Sequence, residues 1–352
     1  MSDVFERAAR IQPLDAGAME QARVRQQQLT KPAGSLGRLE EVAIQVAGIR
    51  QNPVPVVERK AVIVMAGDHG VTSEGVSAYP AAVTAQMVYN FLRGGAAINA
   101  LARHAGASVV VVDVGVAAEI EHPDLISHKV AHGSANMTTG PAMTREQMLE
   151  AIQVGSDVLD TLVGRGIDMV ATGDMGIGNT TASSAITATL ARAPVALVTG
   201  RGTGIDDELL AHKVRVIERA LARNAPDPRD PLDVLMKVGG LEIAGLVGVI
   251  VAAASQRVPV VIDGFISGAA ALVAVELQPA IGAYLFAGHS SVEPGHRVIL
   301  ARLGLEPLLD LKMRLGEGTG AVLAMNVIEA ALHVHREMAT FAEAGVSTRD
   351  EG

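Results

Sequence analysis

The stretch DMVATGDMGIGNTT, Asp168 to Thr181, runs an apolar string into a glycine-rich turn and then into a polar segment suited to open a helix. Five other runs share that pattern: AVIVMAGDHG from Ala61, SVVVVDVG from Ser108, PVALVTGRGTG from Pro194, VPVVIDGFISG from Val258 and AIGAYLFAGHSS from Ala280. Most carry their apolar residues consecutively, as strands covered on both faces of a parallel sheet do. Between them lie helical patterns such as AAVTAQMVYNFLRGGAAINALARHA, TREQMLEAIQVGSDVLDTLVG and DELLAHKVRVIERALAR. The second opens on Thr144, with Gln147 at the capping-box position. Strand then helix, repeated, predicts an α/β fold: a doubly wound, mainly parallel, six-stranded Rossmann-like sheet.

The chain ends carry no strand pattern. Residues 14–50 read as two helices broken by KPAGSLG, with Pro32 and Gly34 in the turn and Ser35 as N-cap, and 319–344 read as one long helix. The two ends are expected to pack together. That gives a small helical domain of residues 1–50 and 320–352 beside a large α/β domain, 51–319, for substrate binding and catalysis. The tail STRDEG is expected to fray.

With 352 residues, 49% of them hydrophobic, the chain can bury a large core. Aromatics are only 2%, so that core must be Ala, Val, Leu, Ile and Met. The absence of cysteine excludes disulfides, zinc thiolate sites and thiol nucleophiles. The start MSDVFERAARIQ lacks the apolar region of a secretory signal, and no apolar segment approaches the ~20 residues that span a bilayer. A cytoplasmic protein without a membrane partner is expected. A net charge of -9 without a Lys/Arg run argues against nucleic acid.

Ligands of open parallel sheets bind at the carboxyl ends of the strands, so the six glycine-rich loops are expected to converge on one crevice. In GDMGIGNTT, Gly176 and Gly178 would free backbone N–H groups for a phosphate or carboxylate where Asn179, Thr180 and Thr181 enter a helix. A tight turn without ligand is the plainer alternative. GxxxxGK[ST] occurs nowhere and the run fails GxGxxG, which disfavours nucleotide hydrolysis and a dinucleotide. TGRGTGIDDELLAHK offers a second anion loop, with Gly202, Gly204 and the cation Lys213. Asp206 and Asp207 could hold Mg²⁺, but acids also cap helix starts, and capping is favoured.

DGFISG puts Asp263 at a strand end, a common place for a ribose hydroxyl acceptor, and GHSSVEPGH offers Ser290, Ser291, His289 and His296. His69, His289 and His296 lack a compact ligand spacing, so no metal is expected. His104, His122, His128, His132 and His212 read as solvent-facing or satisfied. GxSxG is absent, which disfavours an α/β-hydrolase. In RLGEGTGA, Arg314 to Ala321, Glu317 stands between Gly316 and Gly318 at the start of a helix. Glycines let the backbone turn sharply and a ligand come close. A glutamate so framed reads as an acid or base aimed into a cleft.

Taken in order, KPAGSLGRLE, MAGDHGV, GDMGIGNTTASSAI, TGRGTGIDD, DPLDVLMKVGGLEIAGLVG, DGFISGAAAL, GHSSVEPGH and LDLKMRLGEGTGAVLAMNVIEAA resemble the nicotinate-nucleotide–dimethylbenzimidazole phosphoribosyltransferase family, which acts in assembly of the cobalamin nucleotide loop. The likeness runs from about Lys31 to Ala331. It implies a homodimer, a Rossmann-like domain with a small helical domain from both termini, and neither metal nor other cofactor. It also implies that nicotinate mononucleotide and 5,6-dimethylbenzimidazole give α-ribazole 5'-phosphate and nicotinate, with inversion at ribose C1'.

Carried over by position, Glu317 would be the general base. Asp174 stands where some members have glutamate, one methylene longer, and is a candidate for assisting catalysis. Tyr79, Gln86, Met175 and Leu315 would form the base pocket. Gly176, Gly178, Asn179, Thr180, Gly202, Lys213, Asp263, Gly264 and Ser291 would hold phosphate and ribose, with Gly318 and Gly320 also at the substrate. The Lys31 loop is explained as well by a structural turn.

Overall fold

The structure is a computed structural model and describes residues 3–347. Its strands are β1 (Lys60–Gly67), β2 (Ala107–Gly115), β3 (Leu125–Ser127), β4 (Met169–Met175), β5 (Val260–Ile262) and β6 (Leu285–Ala287). They form one sheet in the order β3-β2-β1-β4-β5-β6, and every pairing is parallel. The chain runs outward from β1 to β3, then returns to place β4 on the other side of β1. That reversal is the switch point at which doubly wound sheets bind ligands. All eight residues of β1 are buried, which is why the strand after Lys60 reads as an unbroken apolar run.

Helices cover both faces. Leu241–Ser255 lies against β1, β2 and β4, with Arg145–Gly164 and Phe265–Leu277 beside it. On the opposite face Thr319–Glu337 lies against β4 and β5, next to Ala97–Ala105 and Arg38–Arg50. The chain ends meet. Arg25 donates to the carbonyls of His335 (2.7 Å) and Arg336 (2.8 Å), and the Thr30 N–H donates to Ala339 O at 3.0 Å. The first helix, Asp3–Arg10, instead packs on Leu241–Ser255, and Arg7 pairs with Asp160 at 2.6 Å. One continuous hydrophobic core reaches from Val4 to Leu332. Among the described residues no helix is long and apolar enough to cross a membrane.

Four local expectations differ from the structure, the first being that residues 319–344 form not one helix but two, Thr319–Glu337 and Phe341–Ala344. PVALVTG forms no strand: Val195–Val198 is a single helical turn after Pro194, and Leu197 is 63% exposed, where a central strand would bury both faces. The sixth strand is Leu125–Ser127, a three-residue edge whose flanks are polar and which shows no pattern of its own. Ser35 does not cap: the helix starts at Arg38 after Gly37, which has φ +50° and makes no side-chain cap. The Thr144–Gln147 capping box does form, with reciprocal bonds of 3.2 and 2.9 Å. Residues 348–352, in the tail expected to fray, lie outside the described residues.

Helices Arg145–Gly164 and Leu241–Ser255 cross with almost no gap. A Cβ on Gly248 would stand 1.9 Å from Ile152 O, and one on Gly155 would stand 1.9 Å from Gly245 O. Alanine normally improves a helix over glycine by ~1 kcal/mol, but here the clash reverses the sign. Gly248→Ala is therefore expected to cost ~1–3 kcal/mol and lower the melting temperature by several degrees. Gly140→Ala, with no atom within 4 Å of the new Cβ, should leave it nearly unchanged. Equal thermal scans for the two variants would show that the close crossing carries no such constraint.

Candidate active site

The carboxyl ends of β1 and β4 open into a cavity of about 780 Å³, closed by loops that follow β1, β4, β5 and β6 and by residues 202–203 and 313–317. The loop after β2 does not take part. There Asp113 accepts from the N–H groups of Gly115 (3.1 Å) and Val116 (2.8 Å) and pairs with Lys129, so the turn satisfies itself. A second cavity, about 610 Å³, lies against β2 and β3 and is lined largely by apolar side chains such as Phe91, Val110 and Leu125.

Glu317 holds an unusual backbone. Its φ is +64°, between +85° at Gly316 and +92° at Gly318, so three consecutive residues are left-handed. For a residue with a Cβ that conformation costs ~1–2 kcal/mol and needs support. The support is Asp263, just past β5. Its Oδ1 accepts the N–H of Gly320 (2.7 Å) and Ala321 (2.9 Å), and its Oδ2 accepts that of Gly318 (3.2 Å). Amides at the start of Thr319–Glu337 would otherwise lack partners. Gly173 in β4 lets this loop lie on the sheet, because a Cβ there would stand 2.5 Å from Glu317 O.

The Glu317 side chain is 5% exposed and lines the cavity. Its Oε2 accepts the Ile98 N–H at 3.3 Å, and among the described residues its second oxygen has no partner. Burial raises the pKa of Glu317, the Ile98 N–H opposes that, and the charge of Asp263 adds to it. Asp174 sits below it, near the end of β4. Burial, then the charges of Asp263 and Glu242, push its pKa well above the ordinary carboxylate range, against a 3.0 Å bond from Asn179 Nδ2. Like charges crowded into one desolvated site oppose one another's ionisation, which is why both pKa values rise.

Just past β4, Gly178, at φ +97°, starts helix Asn179–Leu190. Lys213 lies beneath, 1% exposed, with Nζ 2.7 Å from Thr180 Oγ1 and 3.5 Å from Gly200 O. Burial lowers its pKa to about 8, and Glu293 opposes that shift. His69 is buried under the same loop, its Nε2 2.6 Å from Glu242 Oε1.

Twelve of the residues assigned to the site from sequence line this one cavity: Tyr79, Asp174, Met175, Gly176, Gly178, Asn179, Thr180, Gly202, Gly264, Ser291, Leu315 and Glu317. Five do not. Asp263 is fully buried with both oxygens spent on the helix start, so it is not free for a ribose hydroxyl, and Gly318 and Gly320 give their N–H groups to it and not to a ligand. Gln86 is exposed outside the lining, where Val83 and Met87, four apart on the same helix face, stand instead. Lys213 reaches the cavity only through Thr180 and the Gly200–Gly202 backbone. Asp206 caps the next helix, accepting from Leu209 N at 2.9 Å, and Asp207 pairs with Arg201, so a cap and an ion pair account for the two acids. His289, noted from sequence without a role, also lines the cavity. Sequence reading missed Val83, Met87, Phe265, Glu293 and Arg314. Only the i, i+4 spacing of Val83 and Met87 could have signalled any of them.

A family model described as phosphoribosyltransferase matches residues 11–346. The chain belongs to this phosphoribosyltransferase family. A nicotinate-nucleotide–dimethylbenzimidazole phosphoribosyltransferase of Chloroflexus aggregans is 61% identical over all of both chains. The one of Geobacter sulfurreducens is 58% identical over 99% of this chain and 100% of its own. A crystal structure of the Thermus thermophilus enzyme of that name superposes with TM-score 0.91 at 49% identity, covering 96% of this chain and 100% of the other. The phosphoribosyltransferase fold thus carries its glutamate loop at the switch point, clasped by Asp263.

Asp263→Ala strands three amides and should cost at least ~2 kcal/mol. Hydrogen exchange at Gly318, Gly320 and Ala321 should accelerate ~10-fold or more, while Asp263→Asn, which keeps Oδ1, should fall between. Unchanged protection of those amides in the alanine variant would show that the clasp is not what orders the loop.

Proposed function

We propose that the protein transfers the phosphoribosyl group of nicotinate mononucleotide to 5,6-dimethylbenzimidazole with inversion at C1', giving α-ribazole 5'-phosphate and nicotinate for the nucleotide loop of cobalamin. The observation that carries this reading is the pose of Glu317: left-handed, buried, cavity-lining and with one oxygen free. One benzimidazole nitrogen attacks C1' while the other still bears a proton, which would leave the ring cationic. Glu317 accepts that proton as the C–N bond forms. Nicotinate departs with the electrons of the old glycosidic bond, passing from pyridinium to a neutral ring nitrogen, so it needs no acid. The remaining task is to hold two rings on opposite faces of one ribose.

In this reading Val83, Met87, Met175 and Leu315 offer the apolar surface for the incoming base, with Tyr79 at the rim. The glycine loop at Gly176–Thr180 faces the phosphate, with the charge of Lys213 behind it. Asp174 faces the ribose, on the side where positive character develops at C1'. Of the small helical domain expected from residues 1–50 and 320–352, helices Ala16–Gln28, Arg38–Arg50 and Thr319–Glu337 would act as one layer beside the catalytic residues, helix Asp3–Arg10 lying on the other face of the sheet. Tyr79 and Leu315, both more than half exposed at the mouth, would be covered in a homodimer. The setting would be cytoplasmic, and no metal or other cofactor enters the reaction.

Glu317→Gln should keep the fold and both substrate affinities while lowering kcat at least ~10²-fold. Wild-type rate falls as pH drops through the raised pKa of Glu317, because only the carboxylate is a base. Nicotinate release at the wild-type rate by the glutamine variant would remove Glu317 from the chemistry. Lys213 gives a separate expectation on the alkaline side. Its cation persists below pH 8 and is lost above, so KM for nicotinate mononucleotide should climb by up to ~10-fold per pH unit past about 8. Lys213→Ala should start from a high KM and show no such rise, whereas an unchanged KM would exclude Lys213 from phosphate binding.

A further inference from the structure

Glu293 belongs to no role assigned so far, yet it lines the cavity and is 6% exposed. It stands just before helix Pro294–Leu303, and its side chain does not cap that helix. Its Oε1 accepts the N–H of Gly202 at 2.9 Å. Its Oε2 is buried without any hydrogen-bond partner, against Gly200, where a Cβ would stand 1.9 Å from it. The free site therefore holds a carboxylate inside its own anion loop, above Lys213. A buried carboxylate oxygen with no donor is costly, so a donor is missing from this site.

The substrate identifies that donor, on the reading that nicotinate mononucleotide binds here. Its phosphate and nicotinate carboxylate offer only acceptors at neutral pH, and its pyridinium nitrogen bears no hydrogen. The two ribose hydroxyls are its only donors. We propose that Glu293 is the ribose-recognising residue: the phosphate takes over the Gly202 N–H, and the released carboxylate accepts a ribose hydroxyl. The Gly202 N–H then has the phosphate as acceptor, and the carboxylate of Glu293 has a hydroxyl as donor. A nucleotide lacking that hydroxyl would leave Glu293 buried and unpaired, which is how a site rejects a deoxy analogue.

The test compares nicotinate mononucleotide with its 2'-deoxy and 3'-deoxy forms, following nicotinate release with dimethylbenzimidazole. The wild-type protein is expected to favour the ribo form over at least one deoxy form by on the order of 10²-fold or more in kcat/KM. Glu293→Gln and Glu293→Ala should lose about tenfold or more of that preference while KM for the base stays put. Gly200→Ala, which displaces the same carboxylate without removing it, should lose it too and serves if the Glu293 variants do not fold. A wild-type protein indifferent to the hydroxyls, or folded variants that keep the full preference, would overturn the proposal. A wild-type protein that releases no nicotinate from the ribo form would instead overturn the transferase reading.

Discussion

One carboxylate holds this site together without touching the cavity. Asp263 leaves the end of β5 and closes on the amides of Gly318, Gly320 and Ala321, tying the start of helix Thr319–Glu337 to the sheet. A helix start carries partial positive charge and amides in want of acceptors, so a buried acid is stable there. The bond does two jobs. It neutralises a helix end that would otherwise attract the substrate's anion, and it forces the preceding residue, Glu317, into a left-handed pose aimed at the cavity. The energy stored in that pose comes from packing on both faces of the sheet, including the close approach at Gly173.

Charge is divided across the cavity. Asp174, Glu317 and, behind them, Asp263 and Glu242 crowd the side under β4, where burial lifts the pKa of the first three. Two cations attend the glycine loops: Lys213, buried beneath Thr180, and Arg314, which donates to Gly202 O at 2.9 Å. An acidic wall suits a reaction centre that gains positive character and loses a proton. The chain's overall charge of -9 thus says little about a ligand, since an anion needs only a few local donors.

Much of this was written in the sequence, and the boundary has a physical cause. Consecutive apolar residues ending in glycine-rich turns marked five of the six strands, since a strand buried on both faces must be apolar throughout. The same rule misread PVALVTG, because three or four apolar residues after a proline suit a helical turn as well, and it passed over Leu125–Ser127, a half-buried edge that needs little apolar surface. Glycines at 316 and 318 announced Glu317, since few other reasons exist to frame an acid that way.

What the chain alone determined is therefore its layers, its strand-end loops and one glycine-framed acid that lines the cavity, all properties of local pattern. Only the tertiary structure decided the partners. Asp263 and Glu293 are both acids beside glycine-rich loops, and nothing in either segment says which will bind a helix start and which will line the cavity. That choice depends on which backbone amides come within three ångströms, and those amides lie some fifty-five to ninety residues away in the chain.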